Sequence, residues 1–492
     1  MTKAAAHTPK PMPTTQSAAP TQTVGQQLHH APGVRAAIGV LLSELKAKSS
    51  QLTDVRPARP ELKQSYEDMI ARATAARGRG LLYPYIGSGI GNGALVELAD
   101  GSVKWDMICG IGVHFFGHSD PDLAEAALIS GLDDTLKHGN LSSGIEPYDF
   151  SEALLREAGK HSKLRHCYLS TSGAMANENA LKICYQKHAP APRVIAFKDC
   201  FMGRSTTMAQ IGDTPDYRQG LPLSTLVDYM PFFNEHEAKQ VGLAKYIDGA
   251  VAKLREYLDR YPGQHACFVF ELVQGEGGFN IGNRDFFKAL MDLCHERKVA
   301  VWDDEIQTFG RLPRMFAYEY FDLGEHIDVM TVGKMTQACA TLWTEAMNPK
   351  GGLLSGTFTG EGVSFRMGQR VIERLASGGY YGDSGIIAQH HAAFREQAKA
   401  LISKHPNLFP PVPGQSDLVG GAGGMMKFTP FGGAKDKINA TCKACFEEGV
   451  VLFYCGHGPY HIRMLPPLGV MKLEDWPRVF ACIERGLAKA AS

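Results

Sequence analysis

The chain has 492 residues, 44% hydrophobic and 21% charged, with Lys+Arg and Asp+Glu both 51 and a net charge of zero. That length exceeds what one hydrophobic core usually carries, so two or more lobes are expected. Balanced charge argues against a nucleic-acid binder or a membrane-surface protein, and no apolar run is long enough for a transmembrane helix.

Residues 1–30, "MTKAAAHTPKPMPTTQSAAPTQTVGQQLHH", lack the apolar segment of a signal peptide and the arginines of a transit peptide. Their Ala, Pro, Thr and Gln content predicts a disordered tail. Residues 31–105 begin as helix ("GVRAAIGVLLSELKAKS") and continue as a β-meander ("YIGSGIGNGALVELADGSVKWD"). Across 106–378 apolar strands alternate with helices: "HCYLSTS", "RVIAFKD", "ACFVFELVQ", "VAVWDDE" and "IDVMTVG" are the strands. This predicts an α/β domain with a mostly parallel sheet flanked by helices, its chemistry at the carboxyl ends of the strands. Residues 379–492 read as an α+β lobe: a helix "SGIIAQHHAAFREQAKALISKH", short strands "GAGGMMKFTP", "VVLFYC" and "YHIRML", and a last helix.

Eleven scattered cysteines suit free thiols in a reducing compartment, so a cytoplasmic location is expected. Cys442 and Cys445 have CxxC spacing but no second pair, and they read as two helix cysteines. "HACFVFE" and "CHER" lack the spacing of zinc sites, so no metal is expected. "VGKMTQ" is not a P-loop, because Asp328 stands where the first glycine belongs. "GSGIGNG" precedes a strand rather than a helix and reads as a turn.

Three successive predicted strands end in functional groups. "FELVQGEGG" carries Glu271 and Glu276, "VWDDEIQTFGR" carries Asp303, Asp304 and Glu305, and "VMTVGK" ends in Lys334. Lys334 is the only charged side chain between Asp328 and Glu345, in a stretch otherwise apolar enough to be buried. Singly, each of these groups reads as a cap or a salt bridge. Parallel strands would bring all three sets to one sheet edge. Pyridoxal 5′-phosphate requires such a set: a lysine for the Schiff base and a carboxylate facing the pyridine nitrogen. Its phosphate requires N–H donors at a helix N-terminus. "LSTSGAMANENALK" supplies these as strand, then Ser172-Gly173-Ala174, then helix.

With these motifs in place, the sequence resembles the class III (ω-amino acid) aminotransferases of the fold-type I pyridoxal-phosphate enzymes. The resemblance runs from about Gly93 to Leu468. "DGSVKWDMICGIGVHFFGHSDPDLAEA" is similar to the family's opening motif, with Asp106, Gly110, Gly117, His118 and Pro121 in place. "TSGAMANENALK" resembles its phosphate cup, and "FMGRS" its aromatic-x-Gly-Arg segment. "ELVQGEGG", "DDEIQTFGR" and "HIDVMTVGK" resemble its strand ends, and "HIRMLPPL" its C-terminal arginine motif. The resemblance implies a large domain over 106–378 and a smaller α+β domain built from 31–105 and 379–492.

It also implies roles. Lys334 forms the Schiff base and then shuttles a proton, Asp304 pairs with the pyridinium nitrogen, and Gln307 reaches the ring hydroxyl. Gly173 and Ala174, with Ser172 alongside, hold the phosphate, and Phe201 stacks on the ring. Thr357 resembles the threonine that reaches the neighbouring subunit's cofactor, which implies a homodimer or a higher oligomer. Arg204 and Arg463 occupy carboxylate-binding positions, where an arginine fork is not replaceable by lysine. Glu276 occupies the position of a glutamate that covers the C-terminal arginine for the donor and releases it for 2-oxoglutarate.

The implied reaction moves an ω-amino group from a lysine, ornithine, acetylornithine or 4-aminobutyrate type donor to 2-oxoglutarate, giving a semialdehyde and glutamate. An aminomutase or an amine:pyruvate transaminase on the same fold is the alternative. "GKMTQACA" resembles the "GKKTQVCG" run of lysine 6-aminotransferases. It departs from the Gly-Gly-x-Pro run that follows the lysine in much of the family, as "TGEGVS" departs from Gly-Gly-Asn-Pro after Thr357.

Overall fold

The computed structural model describes residues 22–134 and 137–491. Of the tail expected over 1–30, residues 1–21 lie outside the described residues, and the remainder is corrected. Val24–His30 is a helix. The Thr23 hydroxyl accepts from the Gln26 N–H while the Gln26 side chain accepts from the Thr23 N–H. This reciprocal cap satisfies two donors at the helix start, a local signal hidden within a biased composition. His29 then ties the helix to Asp133 at 2.6 Å.

The predicted meander is present as β1 (Gly87–Asn92), β2 (Leu95–Leu98) and β3 (Val103–Asp106), paired antiparallel. The large sheet has seven strands, β4 (Leu164–Ser170), β5 (Arg193–Phe197), β6 (Leu226–Met230), β7 (His265–Phe270), β8 (Ala300–Glu305), β9 (Val329–Val332) and β10 (Cys339–Thr344). Their order is β4-β10-β9-β8-β7-β5-β6. Every pairing from β9 to β6 is parallel, while β10 runs against both of its neighbours. β7, β8 and β9 are buried along their whole length. The apolar runs 266–270, 300–302 and 329–330 within them are what a sheet covered on both faces requires.

The helix Arg284–Glu296 shows how the layers are fastened. Asn283 caps it by accepting from the N–H groups of Asp285 and Phe286. Phe286, Phe287, Leu290, Met291, Leu293 and Cys294 recur at helical spacing and are buried. Phe286 and Phe287 both meet Phe197 of β5, and Phe287 also meets Phe270 of β7. Each such ring contributes about 1.5–3 kcal/mol on burial.

The C-terminal strands are β11 (Val419–Ala422), β12 (Met425–Phe428), β13 (Val450–Val451), β14 (Phe453–Cys455) and β15 (His461–Met464). β13 lies parallel to β3, so the N-terminal meander is closed by a strand from the far end of the chain. The remaining four form an antiparallel sheet in which Arg463 of β15 stands opposite Lys427 on one side and Phe453 on the other.

Register decides where the chemistry gathers. Phe270 pairs with Asp303, Thr331 with Asp304 and Val332 with Glu305. The segments after β7, β8 and β9 therefore emerge side by side. β4 runs in the same direction, since two antiparallel pairings restore it, and it delivers Ser172 to the same edge. The reversed β10 begins there, at Cys339. Among the described residues no helix is long and apolar enough to cross a membrane.

Candidate active site

At this edge lies a cavity of about 250 Å³ whose wall includes Gly173, Asn177, Phe201, Asp304, Gln307 and Lys334. Lys334 follows Gly333 and opens the single turn Lys334–Thr336. Its backbone is left-handed (φ 53°), which costs an L-residue about 1–2 kcal/mol and is held by the packing around it. Burial lowers the pKa of its ammonium below the ordinary lysine value. The charges of Glu276 and Asp304 oppose that shift, and Arg463 adds to it.

Strand alternation puts Asp304 on the cavity side and Asp303 and Glu305 on the other. Glu305 is a structural cap: it accepts from the N–H groups of Ala317 and Tyr318 and from the Thr308 hydroxyl. Asp304 is 4% exposed and accepts from Asn177 Nδ2 and from the Ile306 N–H, both at 2.9 Å. Burial raises the Asp304 pKa, against the pull of those two donors and of Lys334.

Ser172 caps the helix Gly173–Lys187, its hydroxyl oxygen accepting from the Met175 N–H at 3.2 Å. Gly173 and Ala174 stand in the first turn, where backbone N–H groups have no partner within the helix and suit an anion. A Cβ at Gly173 would lie 3.0 Å from a methyl of Ile306, so glycine lets the helix end approach the strand end this closely.

Phe201 donates its N–H to Glu271, whose other oxygen accepts from the Gly275 N–H, both at 3.0 Å. Burial, and then the Asp304 charge, push the Glu271 carboxyl up to about 8. Arg463 has no solvent exposure, and its Nη2 lies 2.8 Å from Glu276 Oε1. Its Nη1 donates to Gln307 Oε1 at 3.3 Å, and the Phe453 ring centre lies 5.1 Å from its guanidinium carbon.

Of the residues singled out in the sequence, Gly173, Ala174, Phe201, Asp304, Gln307 and Lys334 line one cavity. Ser172 adjoins it as the residue before Gly173, Arg463 through its bond to Gln307, and Glu276 through Arg463. Arg204 and Thr357 are exposed and do not line it. Thr357 sits on a loop whose Gly356 carbonyl accepts from the Asn140 N–H at 3.0 Å. Asn177 was not anticipated, although it lies one helical turn after Gly173 on the same face. Glu271 reads from the sequence as a strand end with no task of its own, and the structure makes it the acceptor for the Phe201 and Gly275 N–H groups. Cys339, also in the cavity wall, comes from the strand whose reversal no local pattern announced.

Known proteins resemble this chain in sequence and in fold. The family described as aminotransferase class-III matches residues 86–485. The acetylornithine aminotransferase of Methanocaldococcus jannaschii is 30% identical over 252 residues, 50% of this chain and 56% of that protein. The 4-aminobutyrate aminotransferase of Mycobacterium tuberculosis is 27% identical over 423 residues, 81% of this chain and 90% of that one. Among solved structures, a lysine aminotransferase from M. tuberculosis superposes with a TM-score of 0.73 at 21% identity, over 86% of this chain and 99% of that one.

The cavity fits the cofactor of this family: a lysine amine, a carboxylate acceptor, an aromatic ring and a helix start for an anion converge on it. The family match spans most of the chain, and the chain belongs to the class III aminotransferases, fold-type I enzymes dependent on pyridoxal 5′-phosphate.

Proposed function

We propose that this enzyme moves the ω-amino group of an amino acid to 2-oxoglutarate, leaving a semialdehyde and glutamate. The pair Glu276–Arg463 carries the reading. Arg463 is a fully buried cation with one carboxylate partner, at 2.8 Å. A donor whose amine is remote from its carboxylate has no use for a second arginine near the reacting carbon, and Glu276 neutralises it. A dicarboxylate acceptor does need it, and Glu276 can withdraw toward solvent. The donor is of the lysine, ornithine, acetylornithine or 4-aminobutyrate type, the classes that the names of the relatives span.

When bound, the cofactor supplies an electron-accepting ring. Lys334 would hold it covalently, and its freed Nζ would carry a proton to and from the substrate Cα. A depressed Lys334 pKa favours the neutral amine this needs. Asp304 would keep the ring nitrogen protonated. Gln307, with Oε1 committed to Arg463, has its NH₂ left to donate to the ring oxygen. Gly173, Ala174 and Ser172 would hold the phosphate, and Phe201 would lie against the ring. Arg204 would read the remote carboxylate.

The active unit is a homodimer in which Thr357 serves the partner's cofactor. Leu141, Ile145, Tyr148 and Phe358 are exposed on or beside the loops that carry Asn140 and Thr357, an apolar surface that a second copy would cover.

A half-reaction screen tests the function. The holoenzyme's cofactor absorbance is followed as lysine, ornithine, acetylornithine, 4-aminobutyrate or β-alanine is added alone. At least one should convert it, and 2-oxoglutarate should reverse the change. Reversal by pyruvate but not by 2-oxoglutarate would sink the reading.

A further inference from the structure

Arg204 presents an unusual situation for a surface arginine. It is exposed, and among the described residues it has no carboxylate or hydrogen-bond partner. Its one ring contact among the described residues is with the face of Tyr217, whose centre lies 3.9 Å from the guanidinium carbon. A guanidinium stacked on a ring is held in place while all five of its N–H donors stay free. The same ring meets Phe201 edge to face, with centroids 5.5 Å apart and planes at 87°. Tyr217 thus stands between the aromatic residue of the cavity and the arginine outside it.

The turn that carries this ring is pinned on both sides. Pro215 opens the single turn Pro215–Tyr217, and the Tyr217 N–H donates to the Thr214 carbonyl at 3.0 Å. Asp213, just before the turn, donates its N–H to the Cys200 carbonyl at 3.0 Å and accepts from the Asp199 N–H at 3.1 Å. Thr214 meets His457 at 3.2 Å, and the neighbouring Gly456 donates its N–H to the Glu276 carbonyl at 2.8 Å. The ring is therefore fixed relative to both Phe201 and the loop of Glu276. Burial and then the Glu276 charge raise the Tyr217 phenol pKa, so the ring that faces Arg204 is a neutral one.

We propose that Tyr217 is a positioning residue for substrate selection: it aims the Arg204 guanidinium at the remote carboxylate of the donor without occupying any of its donors. This rests on the reading of Arg204 as the carboxylate reader, and it adds what makes an exposed, unpaired arginine selective. The ring face, not the hydroxyl, does the holding.

The experiment uses the holoenzyme and matched pairs differing by one carboxylate: lysine against 1,5-diaminopentane, and 4-aminobutyrate against propylamine. Donor KM and kcat are measured for the acids. The amines are measured as competitors, so they need not turn over. Tyr217→Leu should raise the KM of the acids about tenfold with kcat within about twofold, and leave the amines' inhibition constants unchanged. Tyr217→Phe should restore the wild-type ratio of acid to amine. Tyr217→Gln replaces Tyr217→Leu if the latter does not fold.

An unchanged ratio in the ringless variant would overturn the proposal, as would acids and amines weakening together. Arg204→Gln separates the two layers. If it raises the ratio while Tyr217→Leu does not, Tyr217 alone is misassigned. If Arg204→Gln leaves the ratio at the wild-type value, the carboxylate reading of Arg204 falls, and the role of Tyr217 falls with it.

Discussion

Glu276 faces Nη2 of Arg463 with both carboxylate oxygens, at 2.8 and 3.0 Å, and Arg463 has no access to water. Removing Glu276 therefore uncovers a buried cation rather than a solvated one, and the loss of one partner from such a pair is costly. In Glu276→Ala, Arg463 is free to capture the donor's carboxylate in the wrong orientation. The donor half-reaction should slow at least about tenfold, while the 2-oxoglutarate half-reaction keeps most of its rate. Single-turnover measurement of each half decides; equal losses in both would contradict the gate.

Lys334 makes a prediction for the cofactor-free protein. Its folded pKa is depressed by burial, whereas the unfolded chain titrates near about 10.4. Between those values the unfolded state binds more protons, so this residue's contribution makes stability rise with pH and costs most at the lower end. Lys334→Met removes that proton-linked contribution. The variant should gain on the wild-type apoprotein as pH falls from about 10 toward neutrality, and its turnover should drop by at least about a thousandfold. Urea unfolding of both apoproteins across that range is the check, and parallel stability curves would count against it.

Asn177 gives Asp304 one of its two donors. A donor to a carboxylate favours the ionised form, which is the form needed to face a protonated ring nitrogen. Asn177→Ala should move the acid limb of kcat/KM to higher pH and lower kcat about tenfold. Asp304→Asn, which removes the charge itself, should cost about a hundredfold to a thousandfold. A pH–rate profile of Asn177→Ala that overlays the wild type would refute the link.

Leu141 is fully exposed and Phe358 nearly half exposed, an unlikely surface for an isolated chain. The wild type should sediment as a dimer. Leu141→Asp combined with Phe358→Asp should yield monomers that lose cofactor during gel filtration. A monomeric wild type with full activity would remove both the interface and the role of Thr357.

How much of this was readable without coordinates follows from the kind of signal each residue leaves. Lys334, Asp304 and Glu271 sit at or just past the ends of apolar strands, where a polar residue interrupts a strong local pattern, and parallel pairing brings those ends together. Asn177 is one polar residue among several on a helix, and only the approach of β8 selects it. Tyr217 lies in a loop whose turn is set by contacts to Asp199, Cys200 and His457 from distant parts of the chain. The helix Val24–His30 was missed for the opposite reason: a sound local cap lay inside a composition that outvoted it.

The direction of β10 has a consequence for redesign. The segment "MTQACATLW", where the chain leaves the common family pattern, enters the cavity wall only through Cys339. Thr336, Ala338, Ala340, Leu342 and Trp343 are buried away from that wall, between 0 and 6% exposed. Grafting this run from a relative would therefore probe how the sheet interior tolerates new volume, and would hand over little of the relative's substrate taste. Attempts to retarget the enzyme have more to work with outside the cavity, where the exposed Arg204 on the face of Tyr217 can be re-aimed without disturbing the sheet.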